Sequence, residues 1–127
     1  MNIEYLDGNT GDCPLIRVYG DEPDSVKLLM ESISDLINGE LKSKRLNDIK
    51  GFKGINNCQF IIEVSSKREG VIKIRNNIFH CRLQKEYWQT AYELLESLSK
   101  GERIGYQWID ESSEISFLVS RYEDGQW

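Results

Sequence analysis

One imidazole, three thiols and twenty-one carboxylates are the groups with which this chain could do chemistry. His80 stands next to Cys81, the one place where a base and a nucleophile are neighbours, and that adjacency defeats the pairing. Consecutive side chains of a strand point to opposite faces, so Cys81 turns inward when His80 turns outward. Cys13 and Cys58 are remote in sequence, and nothing fixes their orientation toward His80. Three widely spaced cysteines without a C-x-x-C pair, and with no second histidine, do not assemble a zinc set either. They read as small apolar residues of a reducing compartment. Asp7, Asn9 and Asp12 lack the spacing of a calcium loop and its closing glutamate. Gly51 and Gly54 fit neither a phosphate-cradling loop nor a dinucleotide-binding turn. The residues therefore point to no metal and no cofactor.

The carboxylates offer a different use. Asp110, Glu111 and Glu114 lie between two expected strands, and Glu123 and Asp124 lie near the end of the chain. Glycosidase chemistry needs two carboxyls held apart across a cleft, which a single hairpin loop does not establish. These five read as an acidic surface for a basic protein partner, whose approach it would accelerate. The alternative site is cationic: Lys73, Arg75, His80 and Arg82 alternate with apolar residues along two strands. An open sheet face of that kind, with Tyr19 near it, would hold a small ligand, support an enzymatic site around His80, or take single-stranded nucleic acid, although no RNP-like aromatic motif is present.

Charge is distributed in blocks. Residues 1–40 carry nine acids and two bases, residues 41–85 three acids and eleven bases, and residues 86–127 nine acids and three bases. The blocks either neutralise one another across neighbouring elements or give the molecule a bipolar surface. A net charge of −5 argues against duplex DNA, whose affinity for proteins comes mainly from neutralised phosphates.

The elements that position these residues follow from periodicity. At 127 residues the chain is one domain, 1–127. No apolar run approaches the ~20 residues of a membrane span, and Glu4 and Asp7 spoil a signal peptide, so the expected location is the cytoplasm with no membrane contact. Leu15–Tyr19 reads as a strand, with a shorter one at Ile3–Leu6 and the turn-rich run 7–12 between them. Asp21, Glu22 and Pro23 open a helix whose apolar stripe is Val26, Leu29, Met30, Ile33, Leu36 and Ile37, stopped by Asn38-Gly39. Residues 40–57 show no clean period, and a short strand is expected near Leu46–Ile49.

Gln59–Val64 alternates as a strand. Val71–Arg75 and Ile78–Leu83 form a hairpin around Asn76-Asn77, two residues tolerant of positive φ. Pairing Arg75 with Ile78 sets Ile74 opposite Phe79, Lys73 opposite His80, Ile72 opposite Cys81 and Val71 opposite Arg82. In that register Ile72, Ile74, Phe79, Cys81 and Leu83 face the core, and Lys73, Arg75, His80 and Arg82 face out. Lys85–Ser99 reads as a second helix along Trp88, Ala91, Tyr92, Leu95 and Leu98, closed by Lys100-Gly101. Arg103–Ile109 and Ile115–Ser120 are the last strands. Hairpins with only two helices define an α+β fold: an antiparallel or mixed sheet of about six strands with both helices packed on one face. Its uncovered face could support a homodimer.

Gly11-Asp-Cys-Pro-Leu-Ile-Arg-Val-Tyr-Gly20 resembles the opening of small bacterial proteins of unassigned function. Gly105-Tyr-Gln-Trp-Ile-Asp110, Phe117-Leu-Val-Ser120 and Gly125-Gln-Trp127 are similar to their ending. That closing hairpin also resembles one found in some immunity proteins of bacterial polymorphic toxin systems. The resemblance implies a non-enzymatic antidote that binds and blocks a toxin domain, with no catalytic residues to carry over.

Overall fold

The computed structural model describes residues 1–8, 11–100 and 104–127. Asn9 and Thr10 of the expected turn, the expected stop Gly101, and Arg103 at the start of an expected strand lie outside the described residues.

Pro23 opens helix α1 (Pro23–Ile37) where its missing N–H leaves no helical bond unmade, and Asp24 sets a negative charge in the first turn. Val26, Leu29, Ile33 and Leu36 form its buried stripe, and Gly39, at φ +78°, ends it. Helix α2 (Lys85–Ser99) buries Trp88, Ala91, Leu95 and Leu98. The Trp88 indole N–H donates to the Glu63 carbonyl at 2.9 Å, so its polar atom is satisfied inside the core.

Nine strands, among the described residues, form two mixed sheets. In chain order they are β1 (Asn2–Leu6), β2 (Leu15–Tyr19), β3 (Ser43–Arg45), β4 (Lys53–Gly54), β5 (Gln59–Val64), β6 (Gly70–Arg75), β7 (Ile78–Leu83), β8 (Tyr106–Asp110) and β9 (Ser116–Ser120). The five-stranded sheet runs β4-β1-β2-β9-β8 and the four-stranded sheet β3-β5-β7-β6. The α+β class and its two helices are as expected, but the strands are more numerous and divide between two sheets. The extra strands, β3 and β4, are short and polar and so leave no hydrophobic period to detect. The helices pack against each other, and one core draws Ile16, Val18 and Phe117 from one sheet, Phe60, Ile62 and Phe79 from the other, and the stripes of both helices. Phe60 meets Phe117 edge-on at 4.9 Å, and Tyr5 lies 4.5 Å from Phe79, so the sheets interlock through aromatic pairs.

Residues 46–49 are not a strand. Leu46–Asp48 make one 3-10 turn, which buries Leu46 and aims the Asn47 amide at β5. Asn47 Nδ2 donates to the Cys58 carbonyl and its Oδ1 accepts the Phe60 amide, at 2.9 and 3.1 Å, so a side chain does here what a strand ladder would do. Gly54 belongs to the same corner, because a Cβ on it would run into the Cys58 carbonyl oxygen.

The hairpin register also differs from expectation. Arg75 opposes Ile78, but a bulge between Lys73 and Arg75 shifts the rest by one residue. Lys73 therefore opposes Phe79, Ile72 opposes His80, and Val71 opposes Cys81. The shift exchanges faces: Val71 is buried, Ile74 is 44% exposed, and Lys73 reaches across the inner side toward the Tyr5 ring, 5.9 Å away.

Behind the five-stranded sheet, Leu15 and Leu118 are fully buried yet stand outside the main core. The C-terminal tail folds back over this outer face. Ser120 Oγ donates to the Gln126 carbonyl, Arg17 donates to the Asp124 and Gly125 carbonyls, and the Trp127 indole donates to Asp12 Oδ2 at 3.0 Å.

Two expectations test this architecture. By chemical denaturation, Ile74→Lys changes stability by less than about 0.5 kcal/mol, whereas Val71→Lys destabilises by more than about 3 kcal/mol; the unshifted register requires the opposite order. Buried Arg121 donates to the Leu98 and Lys100 carbonyls at the end of α2 and to Asp21 before α1; Arg121→Met, which leaves these oxygens without their cation, destabilises by about 3 kcal/mol. Arg121→Lys restores only part of the loss, because an ammonium cannot span both sets of oxygens.

Candidate functional site

The acidic residues singled out in the sequence do not form one patch. Asp110 leaves the set altogether: its side chain is buried, only 3% of the residue is exposed, and it is fully engaged. Arg68 holds Oδ1 at 3.1 Å through Nε and Nη2, while the Ser112 amide and hydroxyl donate to Oδ2 at 3.1 and 2.7 Å. The Arg68 guanidinium in turn lies 4.1 Å above the Tyr87 ring, which ties this hairpin to α2. Asp110 therefore organises the loop and does not face a partner.

Glu111 and Glu114 are exposed on the loop between β8 and β9. Register aligns Leu6 with Leu15 and Leu15 with Ser116, so the end of β1 and the starts of β2 and β9 share one end of the sheet. Asp7, Asp12 and Glu114 gather there with the Trp127 ring. Burial first, then the charges of Asp7 and Glu114, push the Tyr5 phenol up, so both carboxylates act on the same corner. Glu123 is exposed at the opposite end, where it lines a cavity of about 410 Å³ with Asn2, Gly20, Asp21 and Glu22. Glu22 there holds the Met1 amino group at 3.0 Å, and Asp21 holds Arg121 at 2.6 Å. Asp124 is exposed on the tail between the two ends.

The charge blocks of the sequence reappear as sheets. The four-stranded sheet is built wholly from residues 43–83, inside the basic block, while β1, β2, β8 and β9 come from the acidic flanks. Among the described residues, Arg68–Asp110 is the one ion pair that joins the basic block to an acidic flank; the rest lie within a block or, like Arg121–Asp21, join the two flanks. Segregation is therefore kept in the fold instead of being neutralised.

The cationic candidates are likewise redistributed. His80 and Arg82 lie together on the outer face of the four-stranded sheet, but Lys73 is on the inner face because of the bulge, and Arg75 is exposed at the hairpin end. Tyr19 is in the other sheet, beneath Arg17 at 4.4 Å. Glu63, which alternation alone places outward on β5, turns out to be the centre of the face. The parallel register sets Arg82 opposite it, and its Oε1 receives the Arg82 Nε at 2.5 Å and contacts His80 Nδ1 at 2.8 Å. Burial raises the Glu63 carboxyl, but the hydrogen bonds and charges of Arg82 and His80 outweigh it and hold the group below its ordinary value. Ile61, Ile72 and Ile78, all half-buried, surround this trio on the same face.

Chemically, the carboxylate orients the imidazole through Nδ1, the arrangement of an oriented base. No thiol joins it. Cys81 points into the core and Cys58 is buried; burial pushes the Cys81 thiol well up and the Cys58 thiol to about 11. Among the described residues no group of acids, histidines and cysteines gathers as metal ligands, and no helix is long and apolar enough to cross a membrane. Comparison of the chain with protein-family models, curated proteins and solved structures finds no match.

Glu63→Gln is expected to cost about 1–2 kcal/mol near neutrality, since a charge-assisted acceptor becomes a neutral one. A carboxylate whose pKa is lowered by folding stabilises the fold above its unfolded pKa of about 4.3 and loses that contribution as pH falls through the folded value. Denaturation curves of wild type and variant should therefore converge as pH drops from about 5 toward 3.

Proposed function

We propose that this chain is a non-enzymatic protein-interaction module of the cytoplasm that binds and blocks a basic protein, as the resemblance of its ends to immunity proteins of toxin systems implies. The observation that carries this reading is the segregation of charge by sheet: the acidic flanks supply four of the five strands of one sheet and place Glu111 and Glu114, with Asp7 and Asp12, at one of its ends. A rim rich in exposed carboxylates beside the docked Trp127 gives a basic partner long-range attraction and an aromatic contact. Glu123 and Asp124 extend the acidic field along the tail and the opposite end; Asp110 acts from below by fixing the loop.

The Glu63-oriented His80 favours a second reading, a small-ligand or enzymatic site on the outer face of the four-stranded sheet. Capture of the tagged chain from its native host at about 50 mM and about 500 mM salt separates the two, because surface attraction is screened as the Debye length shortens. The first reading expects a stoichiometric basic protein held at low salt and released at high salt, and its complex weakened roughly tenfold or more by Glu111→Lys with Glu114→Lys. A partner indifferent to both salt and charge reversal overturns the acidic surface. A bound small molecule lost in His80→Ala transfers the function to the other sheet.

A further inference from the structure

A sheet edge is a row of unmade hydrogen bonds, and folded proteins guard such edges with lysine, proline, bulges or brevity. Three of the four edges here are guarded. Strand β3 has three residues and carries Lys44 and Arg45, β4 has two and begins with Lys53, and β6 carries exposed Lys73 and Arg75. The free side of β6 is also engaged, through a bridge from Val71 to Ile115 and a hydrogen bond from the Ser113 hydroxyl to the Val71 carbonyl.

The remaining edge, β8, is the least guarded: its bulge lies between Trp108 and Asp110, beyond Tyr106–Trp108, and no lysine, arginine or proline stands in the strand. Tyr106-Gln-Trp-Ile109 is uncharged, and Asp110 beyond it is buried and paired with Arg68. Tyr106 is 42% exposed and Ile104, just before the strand, is 50% exposed. The direction of the free backbone groups follows from the ladder. The Arg121 amide donates to the Gly105 carbonyl at 2.8 Å, so Gly105 and, by alternation, Gln107 direct their backbone groups to β9. Tyr106 and Trp108 therefore turn their N–H and C=O groups to the open side, and among the described residues nothing in the chain receives them.

We infer that β8 pairs with β8 of a second copy of this chain, antiparallel about a two-fold axis through Gln107. The strand is self-complementary about that residue. In this register Tyr106 of each copy opposes Trp108 of the other as a hydrogen-bonded pair, so the outward N–H and C=O groups of both residues in both copies find partners. The same register sets two tyrosine–tryptophan pairs across the junction, on the face that Trp108 shares with Leu118. No like charges meet along Tyr106–Ile109, whereas pairing along β3 or β6 would set lysines and arginines together. The two five-stranded sheets would then run on as one.

Analytical ultracentrifugation and concentration-dependent hydrogen exchange on the full chain test this. The inference expects a species of twice the 14.8 kDa chain mass. It also expects Tyr106 and Trp108 amides whose protection rises with concentration, while the Gln107 amide, bound to β9, is protected throughout. Tyr106→Lys should raise the dimer dissociation constant roughly tenfold or more, by adding the missing edge charge, and Tyr106→Phe should leave it near wild type; circular dichroism of each variant reports folding. A chain that stays monomeric to about 1 mM, about a thousand-fold above a micromolar dissociation constant, overturns it. So does a dimer indifferent to Tyr106→Lys in a folded variant, or protection of the two amides that appears only when a different protein is added.

Discussion

The guanidinium of Arg121 is taken almost wholly out of water, and the fold around it is arranged to supply the oxygens it needs. Nη1 donates to the carbonyls of Leu98 and Lys100 at 3.3 and 3.0 Å, where the end of α2 concentrates partial negative charge, and Nη2 donates to Asp21 just before α1 at 2.6 Å. Its own amide holds β8 through Gly105. One side chain thus ties the end of one helix to the approach of the other and to the strand that closes the five-stranded sheet. A buried charge imposes its geometry because each unmet donor carries a desolvation penalty that apolar packing does not offset. The relative placement of both helices at this end of the sheet is therefore an electrostatic requirement as much as a packing one.

The opposite surface of that sheet is organised by the tail. Leu15 and Leu118 would be a solvent-facing apolar pair on an open sheet, yet both are fully buried. Gly125 makes the close approach possible: at φ +76° it presses its backbone against the Arg17 guanidinium and the Tyr19 ring, where a Cβ would collide. Arg17 completes the arrangement by reaching Glu4 at 2.6 Å on one side and the tail carbonyls on the other. The outer face is covered by the tail that follows β9 and not by a third layer of secondary structure.

Legibility from sequence followed the strength of local periodicity. Both helices were readable because their stripes repeat over four turns, and Pro23 and Asn38-Gly39 mark the two ends of α1. The strands β2, β5, β6, β7 and β9 were readable from alternation. The bulge at Ile74 was not, since it is chosen by whether Val71 or Ile72 opposes Cys81, a matter of core volume that a two-residue turn does not decide. Asp110 looked like its exposed neighbours because its cation, Arg68, is 42 residues away. Glu63, His80 and Arg82 have the right parity for one face, but bringing them together required knowing that β5 and β7 are parallel neighbours. Arg121, an isolated basic residue after the last strand, carried no local mark of its role at all.

The division of charge between the two sheets also means that the net value of −5 is a poor guide to how the molecule behaves at an interface. A charged matrix is expected to select an orientation of the molecule, with exposed Arg45 and Arg75 of the four-stranded sheet toward an anionic one and Glu111 and Glu114 toward a cationic one. Its retention in ion exchange then reflects orientation and local field more than the distance between the working pH and the isoelectric point.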